Sequence, residues 1–440
     1  MSNTGSLRRT EFAVADRTLA QVATVAATIM FTLVIVSFRP FSPSGAGLPG
    51  EVPEGGDIVN QLGFGSLGAA AIFALFTLVD RRVLTALLSP WWLLLLAFFG
   101  LSILHATDPS SALRTASFTL IGIMTMATVL VLPRDADSFS KVIAVSGFIV
   151  VGLSMIGLFV FPNEAIHTAD SLEPEHAGFW RGVFTHKNIA GPVMACFSFA
   201  GIYLFRRGWR TSGILLFTLA MIFMANTGSK TTAGLVPASI LVVVLPGLIG
   251  MRLATPLLFL LAVIGTGLGT LGIVFIEPIK HLANEFVPGL DYTGRTALWE
   301  FAGEMLAKQP WTGYGYESFW STPLLTDSEQ PFDRDWDIRG IVHGHNGYLD
   351  IAVIMGLPAL VVACWTFLIE PVRDYMKIPL RKENVWLGDF FMMIALFTAL
   401  NAFLESFFFR RADPVWMFFV FAIFGLRLVA RLPVRSSSAN

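Results

Sequence analysis

Long apolar runs separated by short polar stretches dominate the hydropathy pattern of this chain. Each run approaches the ~20 residues that a helix needs to cross a bilayer. The seventh run is short and the third and fourth are closely linked, so the count holds to within one or two. The pattern predicts an all-α, polytopic integral membrane protein with about twelve transmembrane helices, at residues 19–38, 62–79, 84–104, 115–132, 142–161, 189–205, 211–225, 232–249, 254–276, 347–369, 388–406 and 414–430.

One long polar segment, residues 276–346, interrupts this pattern between the ninth and tenth predicted helices. It divides the chain into residues 1–275 with nine transmembrane helices, the segment itself as a large loop containing short helices, and residues 347–440 with three further helices and a tail. Since its borders against the apolar runs are abrupt, we expect the membrane helices to anchor this loop. The chemistry of the protein is therefore expected at the loop.

Composition supports a membrane protein and argues against several other classes. Apolar residues make up 54% of the chain and charged residues 14%, whereas a soluble protein has about 25% charged residues. The net charge of −1 argues against a nucleic-acid partner. Cys196 and Cys364 lie in apolar runs, which argues against a disulfide framework or a zinc site. The run Leu19–Phe38 is too long for the apolar part of a signal peptide and is predicted as the first transmembrane helix.

The basic residues predict an orientation. With the N-terminus in the cytoplasm, eighteen of the thirty Lys and Arg residues fall on the cytoplasmic side and twelve fall outside. Five of those twelve lie in the long loop, which the positive-inside rule does not count, so the short loops divide eighteen to seven. The long loop is therefore predicted to face outward.

Arginines on this outer side lie where a lipid phosphate would sit. Arg181 is in the polar stretch before the sixth predicted helix, and Arg295 lies next to a predicted amphipathic helix that extends to Lys308, with Thr296 as a possible N-cap. A guanidinium group matches phosphate oxygens with paired hydrogen bonds, and free amides at a helix start favour an anion. A lipid-linked phosphate ligand is thus favoured, while simple anchoring of both arginines at lipid head groups stays open. The helix prediction rests on apolar residues three or four positions apart: Leu298, Phe301, Ala302 and Met305.

His345 stands directly before the tenth predicted helix, followed by Asn346 as a plausible N-cap. An unperturbed imidazole accepts a proton near neutral pH, so His345 is the candidate general base for a hydroxyl nucleophile. His343 and His186 compete for this role, and a surface or capping histidine is the alternative interpretation.

Two groups of carboxylates are set aside. The run Asp333–Asp337 lacks the Gly and Glu positions of a calcium loop, so a solvated acidic loop is predicted. Glu405 falls in the eleventh predicted helix, where a carboxylate is a functional hypothesis by default. Because it lies near the outer end of that helix, pairing with Arg410 or Arg411 accounts for it.

Four motifs, in this order along the chain, resemble those of the O-antigen ligase and polysaccharide polymerase superfamily. They are Arg181–Asn188, Thr293–Arg295 with the following Trp299, Pro310–Gly315, and His345–Leu349. The resemblance covers about residues 100–430 and is best between 178 and 360. Lys187 and the stretch Tyr316–Trp320 are most similar to the exopolysaccharide-polymerase branch.

The resemblance implies a GT-C-like glycosyltransferase of the bacterial inner membrane with a periplasmic active face. It implies a donor glycan on undecaprenyl pyrophosphate, an acceptor on the same kind of lipid, and inversion at the anomeric carbon. Arg181 and Arg295 would bind the pyrophosphate and His345 would be the base, so neither a metal nor another cofactor is expected. Membrane lipids, a flippase and chain-length or export proteins are expected partners. Further substrate contacts are assigned to Arg114, His186, Lys187, Tyr314, His343 and Asn346.

Two alternatives remain at this level. A transporter or flippase would show charged residues at mid-membrane and matching halves, and neither pattern is visible in the sequence. Within the enzyme class, a polymerase and an O-antigen ligase share the chemistry and differ in the acceptor. The ligase acceptor would be lipid A core or a protein hydroxyl.

Overall fold

The computed structural model describes residues 4–42, 57–169, 174–286, 292, 294–327, 339 and 341–434, and for residues 4–17 the backbone only. Within these ranges the regular structure is helical, apart from one isolated antiparallel bridge between Ile166 and Trp180. The predicted all-α membrane fold is confirmed. The helices are α1 Thr4–Val36, α2 Ile58–Leu78, α3 Arg81–Leu87, α4 Pro90–Leu104, α5 Pro109–Val131, α6 Ala136–Val160, α7 Pro162–Ala165, α8 Lys187–Arg206, α9 Arg210–Asn226, α10 Lys230–Leu248, α11 Ala254–Phe275, α12 Glu277–Phe286, α13 Arg295–Lys308, α14 Pro323–Thr326, α15 Gly347–Met355, α16 Leu357–Cys364, α17 Glu370–Lys377, α18 Lys382–Asn401 and α19 Pro414–Arg431.

Fewer described helices than the predicted twelve are long and apolar enough to cross a bilayer. Nine described helices are long and apolar enough to cross a bilayer, and α3 with α4 forms a tenth that bends by 68°. The bend falls at Ser89, where the following Pro90 disfavours helical backbone. Helix α9 is apolar but has only 17 residues. The predicted span 347–369 is interrupted at Gly356, so α15 and α16 are separate helices.

The break at Gly356 brings the loop against the membrane helices. Gly356 has φ 85°, and a Cβ atom there would lie 2.3 Å from the carbonyl oxygen of Trp311. The backbone amides of Tyr314 and Gly315 donate to the carbonyls of Val353 and Ile354, at 2.8 and 3.0 Å. The motif Pro310–Gly315 is therefore a strap that holds the loop to the end of α15.

Helices α18 and α19 form the centre of the bundle. The share of buried residues is 83% for α18 and 78% for α19, against 28% for each of α2, α10 and α11. Aromatic rings fill the space beside α19; for example, Phe418 contacts Phe31 and Phe197 edge to face. The chain segments that follow α18 and precede α19 are thus held on a rigid base. We call the end of the bundle where the described residues of the segment 276–346 lie the loop face.

The other end of the bundle carries buried ion pairs. Arg206 lies 2.8 Å from Asp389, and Arg427 donates to the carbonyls of Ala86 and Leu88 at the bend between α3 and α4. Backbone carbonyls freed by a helix break need such partners inside a membrane. These contacts stabilise the bundle far from the loop face.

Candidate functional site

A cavity of about 1330 Å³ opens at the loop face. Its wall is formed by the starts of α8 and α10, the segment before α15, the connection between α18 and α19, and the end of α1. Three of the four motifs contribute titratable groups to this wall, and the other groups come from segments outside the motifs. The charged and histidine residues of the wall are Arg39, Asp57, Glu175, His176, His186, Lys187, Lys230, Arg295, His343, His345, Glu405, Arg410, Arg411 and Asp413.

His345 is presented to the cavity by a strained turn. Its φ of 48° is a left-handed conformation, which costs a residue with a side chain about 1 kcal/mol or more. Neighbouring contacts hold the turn in place: Trp299 donates to the carbonyl of Gly344 at 2.9 Å, and the Gly344 amide donates to Asp350 at 3.1 Å. The amide of Asn346 donates to the hydroxyl of Ser406. The imidazole therefore has a fixed position at the cavity wall.

A carboxylate lies directly behind this imidazole. Glu405 places one oxygen 3.4 Å from Nδ1 of His345, while its other oxygen accepts from Arg295 at 3.0 Å and from Asn188 at 3.1 Å. The side chains of His345, Arg295 and Glu405 are 24%, 19% and 16% exposed. The three residues form a partly buried cluster that remains open to the cavity. Glu405 lies four residues beyond the end of α18, not inside a helix as predicted, and its partners are Arg295 and His345 rather than Arg410 or Arg411.

The protonation of Glu405 follows from these contacts. Burial alone raises the pKa of this carboxyl, but the hydrogen bond from His345 and the charges of His345 and Arg295 together hold it below its ordinary value. Glu405 is therefore ionised at neutral pH. Nδ1 of His345 lies 3.4 Å both from Glu405 and from a guanidinium nitrogen of Arg295. In the tautomer whose Nδ1 donates to Glu405, Nε2 is the atom that can take a proton from a bound hydroxyl.

The two competing histidines are engaged in local structure. Nδ1 of His343 accepts from the amide of His345 at 3.2 Å, and burial, followed by the charges of His345 and Arg410, lowers the pKa of His343 well below its ordinary value. His343 is thus neutral and supports the turn. His186 is the N-cap of α8, where its Nδ1 accepts from the amide of Asn188 at 3.1 Å. Both line the cavity, and His345 is the histidine whose Nδ1 lies 3.4 Å from Glu405.

Lys187 lies at the start of α8 and reaches the cavity wall. The residue is 8% exposed and its ammonium group lies 4.4 Å from the centre of the Phe179 ring. Lys230 begins α10 next to it, since Gly191 of α8 packs against Ser229. These two ammonium groups bring positive charge to the same side of the cavity.

Arg181 is not among the residues that line the cavity. It is 1% exposed, and its guanidinium donates to the carbonyls of Ser42, Phe184 and Thr185 at 2.8, 3.3 and 3.4 Å. Burial lowers the pKa of Arg181, and the charge of Glu164 opposes this effect. Arg181 therefore holds the loop before α8 through these carbonyls, and its proposed phosphate contact stays a prediction.

Three other residues assigned to substrate contact also lie away from the cavity wall. Asn346 is the N-cap of α15, as predicted: its side chain accepts from the amide of Leu349 at 3.0 Å. Tyr314 donates to the carbonyl of Met305 at 2.9 Å and so supports α13. Arg114 is exposed and donates to Ser111 at 3.5 Å within its own helix.

Helix α13 begins earlier than predicted. Its N-cap is Gly294, with φ 78°, so Thr296 is not the cap. The predicted apolar stripe is confirmed, because Leu298, Phe301, Ala302 and Met305 are all buried. Arg295 is consequently the first residue of the helix and projects toward Glu405.

Part of the loop lies outside the described residues, including Thr293 and the acidic run Asp333–Asp337. Within the described ranges, no three His, Cys, Asp or Glu residues are grouped so that they would hold a metal ion. The interpretation of the acidic run stays a prediction.

Several residues of the cavity escaped the sequence analysis. Asn188 belongs to a quoted motif but was given no role, Lys230 was not singled out, and Arg410 and Arg411 were considered only as partners of Glu405. Their position as basic residues beside apolar borders was a usable indication for Lys230, Arg410 and Arg411. The partner of Glu405 had no such indication, because Arg295 is 110 positions away.

The fold and this cavity define an α-helical integral membrane protein with a charged, histidine-containing site at one face. A family model described as O-Antigen ligase (Wzy_C) matches residues 213–364, and the resemblance to the O-antigen ligase and polysaccharide polymerase superfamily is thereby confirmed. The matched segment contains Arg295 and His345, whereas Arg181 and Glu405 lie outside it. No curated protein matches the chain significantly. Residues 213–364 are thus similar to the O-antigen ligase family, and the narrower exopolysaccharide-polymerase branch stays a prediction.

Proposed function

We propose that this protein is an inverting, metal-independent glycosyltransferase that polymerises undecaprenyl-pyrophosphate-linked oligosaccharides into exopolysaccharide. The observation that carries the proposal is the cluster of His345, Glu405 and Arg295 on the wall of one large cavity. It supplies a base, a carboxylate to orient that base, and a cation beside them. A transfer between a sugar hydroxyl and a lipid-linked sugar diphosphate needs these groups.

The reaction is a single displacement. Nε2 of His345 takes the proton of the acceptor hydroxyl while the hydroxyl oxygen forms a bond to the anomeric carbon of the donor. The bond from that carbon to the diphosphate oxygen breaks, and the lipid diphosphate leaves with the electron pair. Glu405 stabilises the imidazolium that forms, and the leaving charge is met by Arg295 and Lys187. These cations supply charge compensation that a metal ion provides in other glycosyltransferases, which is why metal independence is proposed.

The orientation of the site is part of the proposal. Eighteen basic residues in short segments on one side, against seven on the other, favour a periplasmic loop face. Reporter fusions after Trp311 should read periplasmic and fusions after Lys377 cytoplasmic. A cytoplasmic reading at Trp311 would contradict the whole assignment, because lipid-linked repeats are polymerised outside the cytoplasm.

A purified protein in lipid nanodiscs tests the chemistry. Given a lipid-diphosphate-linked repeat as the only sugar substrate, it should release lipid diphosphate and form a ladder of longer lipid-linked products. The ladder should persist when a chelator is added. If the chelator abolishes the ladder, a metal is required, and Asp333, Asp335 and Asp337 become the candidate metal ligands. Flippase and export proteins are proposed as partners in the cell only and are not needed in this assay.

An O-antigen ligase is the second candidate, because the matching family model carries that description. A ligase would not transfer the lipid-linked repeat unless a different acceptor, such as lipid A core, were supplied. The chain length of the polysaccharide in a deletion strain distinguishes a polymerase from a ligase in the cell. Single repeats on lipid would indicate a polymerase, and full-length polymer stranded on its carrier would indicate a ligase.

A further inference from the structure

The cavity has a second cationic group that the proposed reaction does not use. Arg410 and Arg411 are consecutive, both line the cavity, and both are exposed to it. They belong to the connection between α18 and α19, whereas Lys187 and Lys230 stand at the starts of α8 and α10. The two groups are therefore built by different helices of the bundle.

The turn that carries these arginines is held in a strained conformation. Phe409 and Ala412, which flank the pair, have φ values of 55° and 44°. The carbonyl of Phe409 accepts from Thr119 at 3.2 Å and from Tyr316 at 2.8 Å. Strain of this kind persists only where the surroundings enforce it, and it is concentrated at sites of function. The two guanidinium groups are thus presented to the cavity by a fixed backbone.

The carboxylates around Arg410 and Arg411 compensate their charges only over a distance: Asp57 and Glu317 oppose the lowering of the Arg411 pKa, and the charge of Arg410 acts on Asp413. Among the residues the structure describes, neither forms an ion pair, and the guanidinium of Arg411 lies over the Phe118 ring at 4.1 Å. The direct contacts of the carboxylates on the same wall are with other groups: Asp57 lies 3.4 Å from Arg39, and Asp413 accepts from the first amides of α19. Two neighbouring guanidinium groups, without a direct ion pair to a described residue, carry positive charge that suits a diphosphate diester.

The position of the pair relates it to the reaction centre. Glu405 precedes Arg410 by five residues in the same connection, and Glu405 also contacts Asn188 next to Lys187. The His345–Glu405 pair therefore adjoins both cationic groups. A transfer between two lipid-linked sugars brings two diphosphates to one cavity, one on each substrate.

We propose that Arg410 and Arg411 form a second phosphate subsite, which holds the diphosphate of the acceptor while Lys187, Lys230 and Arg295 face that of the donor. This inference rests on the proposed function. Its ligand chemistry is a lipid phosphate, which an anionic phospholipid head group shares. Because a guanidinium binds phosphate through two parallel hydrogen bonds, the subsite is specific for arginine over lysine.

The test compares two acceptors with one lipid-diphosphate-linked donor in nanodiscs. One acceptor is the repeat oligosaccharide on its lipid diphosphate, and the other is the same oligosaccharide as a water-soluble alkyl glycoside without phosphate. In Arg410→Gln/Arg411→Gln, the KM for the lipid-linked acceptor should rise by about tenfold or more, since charge-assisted hydrogen bonds are lost. The KM for the soluble acceptor should stay unchanged. Arg410→Lys/Arg411→Lys should fall between, and the exposed Lys308→Gln should match wild type.

The other possible results of this assay contradict either the second subsite or the proposed function. Equal loss with both acceptors, or no loss with either, overturns the second subsite. An effect that disappears in nanodiscs of phosphatidylcholine alone and returns with phosphatidylglycerol assigns the arginines to head groups and also overturns it. If wild-type protein transfers sugar to neither acceptor, the proposed function fails instead, so the two failures are distinguishable.

Discussion

Replacing Glu405 by Gln should lower kcat strongly while leaving acceptor binding nearly intact. Gln has the same shape, so packing is preserved, but it removes the negative charge behind His345. Glu405 contacts His345 and in the proposed reaction acts through this base, as a positioning residue. We therefore expect the loss in the rate of transfer and not in the KM for the acceptor.

The distance between the two side chains sets the magnitude. With 3.4 Å between Glu405 and Nδ1 of His345, a carboxylate and an imidazolium attract by about 5 kcal/mol at an effective dielectric constant of about 20. Arg295, 3.0 Å from the same carboxylate, and partial exposure to water reduce this by roughly half. The remaining 2–3 kcal/mol corresponds to a fall of roughly 30- to 150-fold in kcat.

The assay is release of lipid diphosphate by purified protein in nanodiscs over a range of acceptor concentrations. Glu300→Gln is the matched control, because Glu300 is a partly exposed carboxylate on the same helix as Arg295, paired with Lys280 at 3.6 Å. It should behave as wild type. A kcat within threefold of wild type for Glu405→Gln, or a raised KM with unchanged kcat, would show that Glu405 acts on Arg295 and not on His345.

Further predictions follow from the same turn and its surroundings. His345→Ala should lose roughly 10²–10⁴-fold in turnover, as expected for loss of a general base, whereas His343→Ala should keep substantial turnover. If the release assay gives the reverse order, His343 is the base. Asn346→Ala removes the cap of α15 and should cost about 1 kcal/mol of stability, seen as a lower melting temperature with kcat nearly unchanged in the protein that stays folded. Burial raises the pKa of Asp413 to about 6, above its unfolded value of about 3.9. The folded state therefore binds a proton more tightly than the unfolded state, and stability is lost as pH rises from about 4 through 6. In Asp413→Asn the melting temperature should vary less with pH across this window, and an unchanged pH dependence would contradict the assignment.

Membrane helices were predictable from the sequence because their determinants are local. Hydropathy over about 20 residues fixes which segments enter the bilayer, and every predicted span corresponds to helical structure. The interruptions at Ser89–Pro90 and Gly356 depend on single residues that hydropathy averages away. For the same reason the predicted eleventh span ran past Asn401, where the helix ends, and included Glu405.

Partners in the site were less predictable because they are distant in sequence. Arg295 and Glu405 are 110 positions apart, and the carbonyls around Arg181 come from residues as far away as Ser42. A motif indicates which residue type stands at a position, but it does not indicate the direction in which the side chain points. Charge at the loop face was foreseen, while the contact of Glu405 with His345 needed the fold.

Arg181 and Arg295 are alike as motif residues but different in the structure, and one substitution should separate them. Arg181 is 1% exposed and donates to several carbonyls, whereas Arg295 is 19% exposed beside the base. A lysine at position 181 has too few donors in the right plane for these carbonyls, and unsatisfied buried acceptors cost roughly 1–3 kcal/mol. Arg181→Lys should thus lower the melting temperature and the amount of protein in the membrane. Arg295→Lys should melt as wild type and lose turnover, because a lysine keeps the ion pair with Glu405 but lacks the planar fork for a phosphate. A stable but inactive Arg181→Lys variant would show that Arg181 turns toward the ligand when substrate is bound.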